Sequence, residues 1–221
     1  MAITRQTYVD NLDAIKVELC DMAREVDGML EHAIESLVNR NTDLAEAILR
    51  SDDIVDGMNV HIEQECLDLI ALQQPVARHL RLVHVAFNVV TDLERIGDHG
   101  VDIAKITRKL AASWDGNVPE DLIAMGKIVQ SMLRDLIQAL RTPDLKLIEE
   151  IASSREADAA FERFQASTLA TMQDSEVPRV AAHYLLFVAY HLDEMAQHIA
   201  DAAKRLRSYE TGEGRKLRMA A

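Results

Sequence analysis

Aromatic residues make up only 4% of this 221-residue sequence, although 48% of its residues are hydrophobic. The core must therefore be aliphatic, built from Leu, Ile, Val, Ala and Met. Turn formers are equally scarce, with 8 Gly and 4 Pro. A chain so sparsely punctuated, and rich in Ala, Leu, Glu, Asp and Arg, is expected to form long helices rather than sheets. Cys20 and Cys66 are the only cysteines. Two are too few for a disulfide framework or a thiolate metal site. Both fall in apolar-periodic stretches, where a small core residue belongs, and such usage fits a reducing cytosol. No apolar run approaches the roughly 20 residues of a membrane span. The opening residues Met1-Ala2-Ile3-Thr4-Arg5-Gln6 lack the hydrophobic stretch of a signal peptide. The expected location is the cytoplasm, with any membrane reached through a partner or a surface contact. Basic residues are short as well: the net charge of −13 argues against nucleic-acid binding and suits solubility and basic partners. The end of the chain is the exception. Lys204 to Arg218 carries six basic and two acidic residues, a local +4 that leaves −17 elsewhere, and residues 211–221 read as a loose basic tail.

The length allows one or two domains with a sizeable core. Apolar residues recur at helical spacing in six segments. The first runs from about Thr4 to Asn39. The turn Arg40-Asn41-Thr42 follows, with Asn41 or Thr42 as N-cap of a second helix that Gln73-Gln74-Pro75 breaks. The third spans about Val76 to Ser113. Trp114-Asp115-Gly116-Asn117-Val118-Pro119 is the clearest interruption, with a turn dipeptide followed by a proline suited to a helix start. A fourth helix is expected to run to about Leu140. Thr142 is expected to cap a fifth, with Pro143 at its first position and an end near Met172. Asp174 or Ser175 is expected to open a sixth, with Pro178 in its first turn, running to about Tyr209.

Three and three suggests duplication. Shifting the chain by 99 residues places Leu93 on Leu192, His99 on His198, Asp102 on Asp201, Ala104 on Ala203 and Lys105 on Lys204. Near the second helix a shift of 102 places Asp56 on Asp158. With the matching order of turns, the expected fold is all-α: two tandem antiparallel three-helix bundles, residues 1–114 and 118–210, with six long helices.

The third helix carries the chemistry. Glu94, Asp98 and Asp102 stand four apart, so each lies one turn on and about 40° further round. They form a carboxylate ladder beside an apolar seam, and like charges at that spacing destabilise an isolated helix by a few tenths of a kcal/mol per pair. Solvent, neighbouring cations such as Arg95, Lys105 and Arg108, or a bound metal would offset that. Ligands for a closed site would come from the antiparallel second helix, where Ser51-Asp52-Asp53-Ile54-Val55-Asp56 again sets Asp52 and Asp56 four apart. Carboxylate donors suit hard cations such as Mg²⁺, Mn²⁺, Ca²⁺ and ferric iron. Gly97, which costs about 1 kcal/mol inside a helix, argues for a helix packed closely against it. In the second half Asp193 keeps the charge of Glu94, but Gln197 replaces Asp98 and Ser154 replaces Asp52. Asp158, Asp193 and Asp201 remain as weaker candidates. None of the eight histidines shows a ligand spacing. His99 and His198 project about 100° from Asp98 and Gln197 and read as exposed or partner-facing.

The run Leu93-Glu94-Arg95-Ile96-Gly97-Asp98 resembles the signature of the PhoU family, the accessory and regulatory proteins of bacterial phosphate transport. The resemblance implies two tandem three-helix bundles and a dimer. It implies metal ions, iron and zinc among them, bound through a Glu-x-x-x-Asp motif that falls on Glu94 and Asp98, with an acidic residue at the place of Asp52. It implies a cytoplasmic negative regulator of the phosphate-starvation response, not an enzyme, whose partners are the phosphate ABC transporter ATPase and a sensor histidine kinase. Two other readings compete. A carboxylate-bridged dimetal enzyme in a helical bundle would use Glu-x-x-His pairs; the sequence has none, since Glu194 and His198 are four apart. A helical adaptor would bind no metal at all.

Overall fold

The computed structural model describes residues 5–174 and 179–212. Among them are seven α-helices and no strand: α1 (Arg5–Asn39), α2 (Thr42–Gln73), α3 (Arg78–Ser113), α4 (Glu120–Arg141), α5 (Leu145–Ser153), α6 (Glu156–Asp174) and α7 (Arg179–Thr211). Asn41 is the N-cap of α2, its side chain accepting from the backbone amides of Asp43 and Leu44. Gln74 stops the helix in the left-handed conformation, ahead of Pro75. Of the two expected starts of the last helix, Asp174 is the final residue of α6; Ser175 and Pro178, and the basic tail beyond Gly212, lie outside the described residues.

The fold is two antiparallel three-helix bundles, with one departure. The expected fifth helix, Thr142 to Met172, is two. Asp144, not Thr142, is its N-cap, with a carboxylate oxygen accepting from the Lys146 amide at 2.9 Å. Pro143 therefore sits before the cap and not at the first helical position. The helix then breaks at Ser154, whose backbone is extended at φ −60°, ψ 136°. Hydrophobic phase explains the break. Ile148 and Ile151 of α5 are buried, and so are Ala157, Ala160 and Phe164 of α6. On one continuous helix these two sets would lie about 180° apart, at about 100° per residue. Interrupting the helix turns both toward the core. Ser153, whose hydroxyl donates to the Glu149 carbonyl at 2.7 Å, marks the end of α5, as serines that bond locally do.

Within the first trio α1, α2 and α3 pack on one another; within the second, α4, α5 and α6 surround α7. The trios join along α3 against α7 and α1 against α4, so one apolar cluster runs through both. Small residues permit the close approach. Gly126 of α4 lies so near Ile34 of α1 that an added Cβ would stand 2.7 Å from its Cδ1. Seven alanines of α7, including Ala189, Ala196 and Ala203, are buried. Buried Asp92 of α3 takes the Arg205 Nε of α7 at 2.7 Å, and Arg205 also donates to the Asn88 side-chain oxygen at 3.2 Å. A hydrogen bond between two charged groups, here with the carboxylate buried, is among the stronger polar contacts. Cys20 and Cys66 are free and buried in the core.

Candidate metal sites on the third and seventh helices

The apolar rows of α2 and α3 decide where the first acidic cluster sits. Val55 of α2 is buried, and so are Leu93, Ile96 and Gly97 of α3. Gly97 is where the helices meet: a Cβ there would stand 3.4 Å from Val55 Cγ1. Flanking this contact, α2 presents Asp52 and Asp56, and α3 presents Glu94 and Asp98. The four are within electrostatic reach. The Asp52 carboxyl is raised above its ordinary pKa by partial burial first, then by Asp56 and Asp98. Glu94 is raised by burial and then by Asp98, with Arg95 opposing and Asp56 and Asp52 adding to the rise. Arg95, itself exposed, spans the α3 pair, 3.6 Å from a Glu94 oxygen and 3.2 Å from an Asp98 oxygen. Four carboxylates, two of them held against their preferred charge, fit a hard cation that would relieve that repulsion. No three of them have donor atoms within 4.8 Å of one another among the described residues, so a cation would have to draw them together and displace Arg95.

Asp102 leaves the ladder. Two steps of about 40° carry it round α3 toward α7. Its carboxylate accepts from Lys105 at 3.0 Å and lies within 4.8 Å of ring nitrogens of His99 and His191. The exposed or partner-facing placement expected for His99 is thus corrected: it is partly buried between the repeats. Its Nδ1 is 3.0 Å from Nδ1 of His191. On its other side His198 lies at 5.9 Å between ring centroids, and His99, Glu194 and His198 form a second group with donor atoms within 4.8 Å. Burial lowers the pKa of His99, and His191 and His198 lower it further. Burial likewise lowers that of His191, against Asp102 and Glu194. Spacing along one helix does not reveal this cluster, because its members come from helices 92 residues apart. The usable signal was the equivalence of His99 and His198 under the 99-residue shift. Equivalent positions on helices that pack face to face across a repeat axis meet at the seam.

Among the described residues the second repeat has no such acidic groove. Buried Asp193 occupies the place of Glu94, and its Oδ2 accepts from the Gln197 amide at 2.9 Å. Its Oδ1 is buried without a hydrogen-bond partner. Burial raises its carboxyl, Gln197 opposes, and Asp158 and Glu194 add to the rise. Asp158 is held by Arg155 at 3.0 Å. Ser154, at the place of Asp52, lies in the break between α5 and α6. Asp201 pairs with Lys204 at 2.7 Å and faces a pocket with Arg81 and Arg205.

A family model described as the PhoU domain matches residues 19–107 and again residues 122–206. The phosphate-specific transport system accessory protein PhoU homolog of Clostridium acetobutylicum is 30% identical over 204 residues, covering 91% of this chain and 93% of that protein. The homolog of the same name from Streptococcus pneumoniae is 32% identical over 182 residues, covering 82% and 84%. Two crystal structures share the fold. PhoU from Pseudomonas aeruginosa superposes with a TM-score of 0.88 at 22% identity, over 93% of this chain and 99% of that one. The phosphate transport system regulatory protein PhoU from Streptococcus pneumoniae gives 0.86 at 28%, over 93% and 98%. No helix among the described residues is long and apolar enough to cross a membrane.

Proposed function

The chain belongs to the PhoU family, and from that premise we propose that it regulates phosphate uptake without catalysing a reaction. It acts in the cytoplasm as a negative regulator of the phosphate-starvation response, between the ATPase of the phosphate ABC transporter and a sensor histidine kinase. The observation that carries the reading is that both halves match the same family domain, with an acidic α2–α3 groove built around the Leu93-Glu94-Arg95-Ile96-Gly97-Asp98 run. Residues 1–114 and 118–210 are the two repeats, and residues 211–221 a basic tail. Their long helices offer the docking faces, for the two partners and for a second copy in a homodimer.

The groove gives regulation a physical handle. Asp52, Asp56, Glu94 and Asp98 would hold a metal ion, with Mg²⁺, Mn²⁺, iron and zinc as candidates, and a bound ion supplies the positive charge that lets four carboxylates approach. The side chains do the rest. Two come from each helix, so closing them fixes the sliding register of α2 on α3 and with it the shape of the outer face. Arg95 holds the Glu94–Asp98 pair when no cation does. Asp193, Asp158 and Asp201 bind weakly or not at all, since Gln197 already donates to Asp193 and Arg155 and Lys204 pair with the others.

Affinity capture from phosphate-replete cells tests the reading. Recovery of a phosphate transporter ATPase or a histidine kinase, identified by mass spectrometry, is the expected result. If the tagged protein retains neither, while a tagged transporter ATPase from the same cells recovers its own membrane partners, the regulatory assignment fails.

A further inference from the structure

We propose that His99, His191 and Asp102 form a binding site for one divalent transition-metal ion, Zn²⁺ by donor chemistry, at the seam between the two repeats. The site is distinct from the α2–α3 groove and differs from it in donor type. Imidazole nitrogen with one carboxylate suits Zn²⁺ and its neighbours, whereas the all-carboxylate groove suits harder ions. His99 and Asp102 are three apart on α3, hence neighbours on one face. His191 faces them from α7.

The geometry is close to what an ion needs. Tetrahedral ligands at about 2.0–2.1 Å from Zn²⁺ stand about 3.4 Å from one another. The two Nδ1 atoms are 3.0 Å apart, and the carboxylate oxygen lies within 4.8 Å of both rings. Two like ring nitrogens at that distance are compatible only if one carries the proton and the other does not. An ion between them satisfies both lone pairs at once. An open pocket of about 380 Å³, lined by Asp102, Lys105, Lys109, Phe187 and His191 among others, adjoins the site and leaves room for a water as fourth ligand. Lys105 is the opposing charge. It bonds one carboxylate oxygen of Asp102, and a carboxylate has a second to offer. On the other side of His99, His198 has its Nδ1 3.5 Å from buried Asp92, which leaves its Nε2 free, so His198→Ala is the variant that separates the two groups.

The test is titration of metal-free, full-length protein with Co²⁺, a spectroscopic stand-in for Zn²⁺, followed by competition with Zn²⁺. Visible bands of a low-coordinate nitrogen-ligated Co²⁺ are expected at one ion per chain, persisting in Glu94→Ala/Asp98→Ala. His191→Ala is expected to remove the bands and weaken binding at least about 100-fold. Far-UV circular dichroism checks its folding; where it fails to fold, X-ray absorption of Zn²⁺-loaded wild type decides, with imidazole scattering expected. The proposal falls if wild type shows no such bands, if His99→Ala and His191→Ala bind as wild type does, or if His198→Ala alone abolishes the signal. It also falls if the bands vanish in Glu94→Ala/Asp98→Ala, which would place the ion in the groove. Failure at His191 leaves the capture experiment untouched, so the two readings fail separately.

Discussion

The same structural position carries opposite chemistry in the two repeats. On α3, Glu94 and Asp98 face Asp52 and Asp56 across a groove, and the exposed Arg95 beside Glu94 and Asp98 offsets only part of the repulsion. On α7, Asp193 faces the amide of its neighbour Gln197 at 2.9 Å, and the partner helix is broken where Asp52 would stand. Apolar positions did not diverge in parallel: Leu93 is 0% exposed and its equivalent Leu192 1%. A duplicated fold keeps its core under one constraint, packing, while its polar positions answer to whatever binds there. The first repeat keeps four carboxylates close together, with Arg95 bridging the Glu94–Asp98 pair. The second keeps a buried one, Asp193, with one oxygen on Gln197 and the other without a hydrogen-bond partner, while Arg155 and Lys204 pair with Asp158 and Asp201.

The sharpest way to break that comparison is to remove the charge from each side in turn. Glu94→Ala/Asp98→Ala should abolish groove-bound metal, read by elemental analysis, with helicity nearly unchanged. Asp193→Ala/Gln197→Ala should leave metal content where it was. Equal metal in both double variants would erase the contrast. Next comes the core, where the repeats should behave alike: Leu93→Ala and Leu192→Ala should each lower stability by about 2–5 kcal/mol in chemical denaturation. A smaller effect should appear at Asp52. Asp52→Asn relieves like-charge repulsion and should stabilise the metal-free protein by a few tenths of a kcal/mol. Added divalent cation should reverse the sign, because the variant has lost a ligand.

The cysteines sharpen the comparison further, since both lie in the first trio. Burial pushes the Cys66 thiol up to about 12, and raises that of Cys20 as well. At pH 8 only about one Cys66 in ten thousand is thiolate in the folded state, so modification requires opening. Alkylation kinetics therefore report the opening of α1 and α2. A cation in the groove should slow them modestly, and Asp193→Ala should not.

Much of the fold was legible because its signals are local. Asn41 capping α2, the stop at Gln74-Pro75 and the small residue at Gly97 each follow from one residue's backbone or side-chain chemistry. The break at Ser154 was legible in principle, since the apolar phase reverses between Ile151 and Ala157, but a continuous helix also fits the polar count. Gly126 against Ile34 was not readable, because nothing local says which helix α4 will meet. The groove residues were found from their spacing and from the family signature. The histidine cluster was not found, because it exists only once α3 and α7 are docked. Asp102 was grouped with its own helix when the drift of the ladder takes it to the neighbouring one.

The outer rods of the two trios differ in one more respect. α2 runs 32 residues without interruption, so unzipping it in the middle creates two frayed ends and starts a costly nucleus again on closing. The rod made of α5 and α6 already has its ends at Ser154, 9 residues along. The short piece, anchored in the core through Ile148 and Ile151, is therefore expected to open before any comparable stretch of α2. Backbone amides of α5 should exchange with deuterium well before those at the centre of α2, and a partner gripping the molecule would find compliance on one flank and stiffness on the other.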